Sequence, residues 1–115
     1  MTIDDLLKIA VEKKASDLHL TVGLPPQLRI HGTLTPLPLE PLTDETAQTL
    51  AYQMLEERQI KAFEWTKELD TSYSIKGLSR FRVNLYRQRG SVAAAIRLIP
   101  FEIPEIESLG LPAVL

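Results

Sequence analysis

Cysteine is absent from the 115 residues, which excludes disulfides, thiolate nucleophiles and metal sites built on thiolates. A cytoplasmic chain is compatible with that composition. Aromatic residues make up only 6%, too few among the basic residues for a base-stacking surface, so no nucleic-acid partner is expected. His19 and His31 are the only histidines, and two imidazoles without a third ligand do not make a metal site. No apolar run approaches the ~20 residues needed to span a bilayer. The opening Met1-Thr2-Ile3-Asp4-Asp5 has acids where a secretion signal has bases, so no leader is expected. Neither a G-x-x-x-x-G-K-[ST] phosphate loop nor a G-x-G-x-x-G turn occurs. Nothing in the chain makes a self-sufficient enzyme. Repeats and low-complexity tracts are also missing.

What is present fits one domain with a modest core. Residues 3–14 read as an amphipathic helix with Ile3, Leu6, Leu7, Ala10 and Val11 on one face. Thr2 is its expected N-cap. Ser16 to Val22 alternates, with Leu18, Leu20 and Val22 inward and Asp17, His19 and Thr21 outward. After the turn Gly23-Leu24-Pro25-Pro26, Gln27 to His31 alternates again, and Thr33-Leu34-Thr35 offers a short further strand. Across this first hairpin the two histidines could face each other, or face Asp17 and Arg29. Pro36, Pro38 and Pro41 predict a connector over 36–42 that stays outside any sheet. Thr43 caps a helix with Ala47, Leu50, Ala51, Met54 and Leu55 on its core face. A second helix from Glu56 to about Lys67 turns Ile60, Phe63 and Trp65 inward, and Glu68 to Ile75 forms a strand. Helices and strands cluster separately, which argues for an α+β fold: a PAS-like, antiparallel five- or six-stranded sheet with helices packed on one face.

Ser79 to Ile99 is the most patterned stretch. Phe81, Val83 and Leu85 alternate with Arg80, Arg82, Asn84 and Tyr86; Val92, Ala94, Ile96 and Leu98 alternate with Ala93, Ala95 and Arg97. A hairpin closed over Arg89-Gly90 pairs Phe81 with Leu98, Val83 with Ile96 and Leu85 with Ala94, giving one uniformly apolar face. Arginine is a poor residue for the positive φ of a two-residue turn, and a four-residue loop from Gln88 to Ser91 keeps the same register. On the other face Arg82 lies opposite Arg97, and such like-charge pairs are destabilising by ~0.2–1 kcal/mol. Beside them Ala93 and Ala95 leave open space. Two facing arginines over a floor of alanines mark a place for an anion, since guanidinium suits planar phosphate recognition.

Charge converges on the same hairpin. Residues 76–99 carry Lys76, Arg80, Arg82, Arg87, Arg89 and Arg97 with no acid, a local charge of +6, against −5 for residues 1–75 and −3 for residues 100–115. A solvated edge hairpin protected by charge against aggregation is the alternative explanation. Asp17 and His19 flank Leu18 on one strand face, where acid–base chemistry is conceivable, yet no nucleophile accompanies them.

Ala15-Ser16-Asp17-Leu18-His19-Leu20, then Gly23-Leu24-Pro25-Pro26 and Leu28-Arg29-Ile30-His31-Gly32, resemble the start of the type IV pilus twitching-motility (pilus retraction) ATPases of the PilT kind, in the secretion-ATPase superfamily. So do Ser79-Arg80-Phe81-Arg82-Val83-Asn84, Arg89-Gly90 and Ile96-Arg97-Leu98-Ile99-Pro100, while Ile106 to Leu111 is similar to the family's entry into its motor domain. The resemblance implies a PAS-like N-terminal domain over 1–100 and a linker over 101–115 toward a RecA-like ATPase domain not contained in the chain. It implies that Arg82 and Arg97, with Arg80 less firmly matched, contact the phosphates of ATP held by that motor domain. By the same resemblance the parent is a homo-hexamer hydrolysing ATP with Mg²⁺, cytoplasmic and peripheral at the inner membrane, working with the pilus inner-membrane platform and the pilin machinery. No nucleotide is expected to bind tightly to this chain alone. The rival readings are a PAS-like ligand-sensing module, which needs an interior pocket, and a nucleic-acid-binding domain using the basic hairpin, whose affinity would fall steeply with salt.

Overall fold

The computed structural model describes residues 1–99. The expected linker over 101–115 and the motor-entry stretch from Ile106 to Leu111 lie outside the described residues. In chain order the elements are α1 (Ile3–Glu12), β1 (Asp17–Leu20), β2 (Gln27–Ile30), β3 (Thr33–Pro36), α2 (Asp44–Tyr52), α3 (Glu57–Thr66), β4 (Glu68–Ile75), β5 (Ser79–Gln88) and β6 (Ser91–Ile99). The strands form one six-stranded antiparallel sheet in the order β3-β2-β1-β6-β5-β4. Two local systems, β1–β2–β3 and β4–β5–β6, are therefore joined through the pairing of β1 with β6.

The expected hairpin register holds: Phe81 faces Leu98, Val83 faces Ile96, Leu85 faces Ala94, and Arg82 faces Arg97. Leu18, Leu20, Leu28, Phe81, Val83, Leu85, Ala94 and Ile96 are buried on one face and form a single core with Ile3, Leu6, Leu7, Ala47, Leu50, Ala51 and Phe63 of the helices. All three helices thus cover one face and leave the other open. The cap of α1 is reciprocal: the Asp5 N–H donates to Thr2 Oγ at 3.2 Å and the Thr2 N–H donates to Asp5 Oδ2 at 3.0 Å. Thr43 and Thr46 make the same exchange at the start of α2.

Gln88 pairs with Ser91, so the hairpin closes over Arg89-Gly90 as expected, with Arg89 at φ 54° and Gly90 at φ 81°, and the four-residue alternative does not form. Positive φ at both central residues matches the right-handed twist of the flanking strands, which outweighs the cost at Arg89. Other expectations are corrected. The hairpin is not at an edge, because β5 and β6 each have neighbours on both sides. Trp65 is 86% exposed, since the helical turn that buries Phe63 carries Trp65 outward. Pro36 does enter the sheet, opposite Gln27 on the edge strand β3, where a missing N–H can face solvent. His31 sits at φ 51° in the turn between β2 and β3, and His19 lies opposite Gln27, so the two histidines do not face each other.

Tyr73 on β4 ties the sheet to α1, its hydroxyl donating to Asp4 Oδ1 at 2.6 Å. Burial, then the bond to that carboxylate, push the Tyr73 pKa up to about 12. The stabilisation is complete below the unfolded value of about 10 and is lost as pH rises through 12. Asp4→Asn should bring the Tyr73 midpoint down toward the ordinary phenol value, followed by NMR of its ring. Arg89→Asn should raise stability by up to about 1 kcal/mol by relieving the left-handed conformation, read as a higher denaturant midpoint at unchanged slope.

Candidate functional site

The open face of the sheet is organised by the register. One cross-strand row crosses every strand: Leu34, Arg29, Asp17, Arg97, Arg82 and Ser72, on β3, β2, β1, β6, β5 and β4 in turn. Three guanidinium groups and one carboxylate stand side by side in its middle. The next row runs Gln27, His19, Ala95, Asn84 and Asp70. Asp17, Arg82, Arg97, Ala95, Asn84 and Asp70 line a shallow depression of about 280 Å³, with Ala95 as part of its floor.

Asp17 is the pivot of the row. It is 8% exposed, and its neighbour Ser16 is fixed from both sides: the Ser16 N–H donates to the Arg29 carbonyl and the Ser16 carbonyl accepts from the Leu98 N–H. The Ser16 hydroxyl donates to Asp17 Oδ2 at 2.7 Å, and Arg97 Nε donates to Asp17 Oδ1 at 3.2 Å. Arg29 Nε stands 3.8 Å from Oδ2, and Arg29 Nη1 donates to the Gly32 carbonyl at 3.0 Å. Burial acts to raise the Asp17 pKa, but the Ser16 hydroxyl and the Arg97 guanidinium outweigh it and hold the carboxyl below its ordinary value. Arg82 has no acidic partner within ion-pair distance among the described residues.

The sequence reading placed Arg82 and Arg97 together, and the structure does so. It missed Asp17 as Arg97's partner, because only the pairing of β1 with β6 makes them neighbours. The absence of acids within 76–99 therefore does not leave the arginines in a purely basic field: β1 supplies Asp17, and β4 supplies Asp70, which accepts from Asn84 Nδ2 at 2.7 Å. Arg80 shares the open face one row away, opposite Ile99. Arg87 belongs to the helix side, its guanidinium 5.3 Å from the centre of the Phe63 ring. Arg89 lies at the turn, at the far end of the hairpin. His19 Nε2 is buried without a hydrogen-bond partner among the described residues. Among those residues no three His, Asp or Glu side chains converge as metal ligands, and no helix is long and apolar enough to cross a membrane.

No protein-family model matches the chain. It is 38% identical over 111 residues to the type IV pilus retractation ATPase PilT of Pseudomonas aeruginosa, covering 96% of this chain and 32% of that protein. It is 35% identical over 115 residues to the type IV pilus ATPase PilU of the same organism, covering 100% of this chain and 30% of that protein. Among solved structures, the pilus retraction motor PilT with bound ADP matches at a TM-score of 0.84 and 45% identity, over 97% of this chain and 33% of that one. The ATPase DotB of Legionella pneumophila shares the fold at a TM-score of 0.74 and 23% identity, over 87% of this chain and 30% of that one. The chain spans about a third of the length of the relatives it matches.

Because its folded pKa is depressed, Asp17 contributes stability above the unfolded carboxyl value and loses it as pH falls through the folded one. An NMR titration of the Asp17 carboxyl carbon should give a midpoint below the ordinary 3.8. In Arg97→Ala that midpoint should move upward, since the guanidinium that favours the charged form is gone.

Proposed function

We propose, from a chain homologous over its whole length to the PilT and PilU type IV pilus ATPases and matching the N-terminal domain of PilT, that this is the N-terminal, nucleotide-contacting domain of an ATPase that powers pilus retraction and twitching motility. The observation that carries the reading is the adjacency of Arg82 and Arg97 on the helix-free face. A like-charge pair at the middle of a sheet costs folding energy. An arriving polyanion turns that cost into binding, since each guanidinium can donate two parallel hydrogen bonds to phosphate oxygens.

In this reading ATP and Mg²⁺ are held by a RecA-like motor domain of the same protein. Arg82 and Arg97 reach the phosphates from the open face and neutralise charge that grows as the terminal phosphoryl group departs. Ala95 keeps the floor low, so the phosphates can approach both guanidinium groups. Arg80, one row away, is placed to meet an extended phosphate chain. Binding draws the two domains together and hydrolysis releases them. Repeated around a homo-hexamer on the cytoplasmic side of the inner membrane, this opening and closing would pull on the pilus platform and pilin machinery. The open face is met from outside the chain, so the domain contributes to hydrolysis only in the assembled motor.

Phosphate release by the full-length protein tests the reading. Arg82→Ala and Arg97→Ala should each lower turnover at least about tenfold, with the assembly and fold intact; arginine fingers in other nucleotide hydrolases supply ~10³–10⁵. Unchanged turnover in both variants would assign the pair to a structural or partner-binding surface.

A further inference from the structure

We infer that Asp17 is a latch on Arg97, and that Arg29 is the second partner that lets the latch open. This rests on the reading that Arg97 meets phosphate. Arg97 is 73% exposed along its side chain and donates to Asp17 through Nε alone, at 3.2 Å, with no hydrogen bond from its terminal amino groups to that carboxylate. Asp17 by contrast is fixed by strand pairing on both sides and by the Ser16 hydroxyl. The pair therefore joins a rigid acceptor to a movable donor.

A phosphate arriving at Arg82 competes with Asp17 for Arg97. Moving Arg97 away would strand a largely buried carboxylate, which is costly when nothing replaces the lost partner. Here something can. Arg29 sits on the opposite side of Asp17 in the same row, with Nε 3.8 Å from Oδ2, beyond a good hydrogen bond but close enough to tighten. Its Nη1 is held by the Gly32 carbonyl, so the group stays near Asp17 whether Arg97 is in place or not. The row Arg29–Asp17–Arg97–Arg82 thus has two arrangements. In one, Asp17 shares Arg97; in the other, Arg29 alone neutralises Asp17 and Arg97 joins Arg82 on the anion. Asp17 and Arg29 are positioning residues in this scheme, and neither touches the nucleotide.

The scheme predicts opposite signs for the two partners. Asp17→Asn keeps the shape, removes the competing charge, and should lower the KM for ATP of the full-length protein about two- to fivefold, more than it changes kcat, as expected for a pair whose arginine is largely exposed. Arg29→Gln makes release of Arg97 costlier and should raise KM by a similar factor. In an Arg97→Ala background the effect of Asp17→Asn should disappear. Asp17→Ser serves as the alternative where the amide disturbs the strand, with the fold checked by the amide NMR spectrum. A KM that rises or stays put in Asp17→Asn, or a KM decrease that persists without Arg97, overturns the latch. So does a collapse of kcat in Arg29→Gln, which would put Arg29 on the phosphates. Normal turnover in Arg97→Ala instead removes the reading beneath it.

Discussion

The pairing of β1 with β6 is the contact on which the rest of the molecule depends. Residues about 80 apart in sequence meet there in one register: Leu18 on Ile96, Leu20 on Ala94, Asp17 on Arg97. Each half of the sheet is local, a β1–β2–β3 meander and a β4–β5–β6 meander, and neither alone has two faces to close. Joined, they bring Leu18, Leu28, Val83 and Ile96 into one continuous apolar surface for the helices. Closing so long a loop is slow and costly in chain entropy, and it is offset only by the burial it makes possible. The register cannot slip by one residue, because every leucine of β1 would then turn to the open face and Asp17 would enter the core.

The same register fixes the chemistry of the open face. Alternation places Arg29, Asp17, Arg97 and Arg82 in line across four strands with no choice of order. A carboxylate as buried as Asp17 must be neutralised and hydrogen-bonded to be tolerated. Arg97, Ser16 and the nearby Arg29 meet that need. The fold thereby obliges one arginine of the Arg82–Arg97 pair to be partly satisfied at home, while the other has no acid within reach among the described residues. The resulting surplus of positive charge is not spread over the face but concentrated where β5 and β6 adjoin.

Much of this was legible in the sequence. The alternation of Phe81, Val83 and Leu85 against Ala94, Ile96 and Leu98 admits one register, and Arg82 opposite Arg97 follows from it. The caps at Thr2 and Thr43 were equally plain, because a capping side chain acts within three residues. What could not be read was anything depending on contact between the halves. Asp17 looked like one of two polar residues flanking Leu18, and nothing local says that its neighbour is Arg97. Trp65 and Pro36 were misjudged for a different reason: each was assigned by residue type, and tertiary placement overrode the preference. Trp65 occupies the outward side of α3 because Phe63 and Ile60 already fill the inward stripe, and Pro36 is accepted because β3 is an edge. Arg89 shows the limit of turn chemistry. The strand pairing on either side fixes a two-residue connection, and the residue there takes the φ it is given.

The energetic oddities of the chain do not all point the same way, and separating them decides which bear on function. Arg89 in left-handed geometry is a cost at the tip of the hairpin, remote from the row, and the backbone twist accounts for it. Arg87 is basic but faces Phe63 beneath the sheet, where stacking explains its place. Arg82 beside Arg97 is different, because Arg82 has no acidic partner within ion-pair distance among the described residues. Replacing Arg82 with a neutral residue would leave Asp17 neutralised, the core untouched and the register intact, and would remove a repulsion. The fold would hold this position more cheaply with a neutral residue, and that is the physical basis of the proposed anion contact.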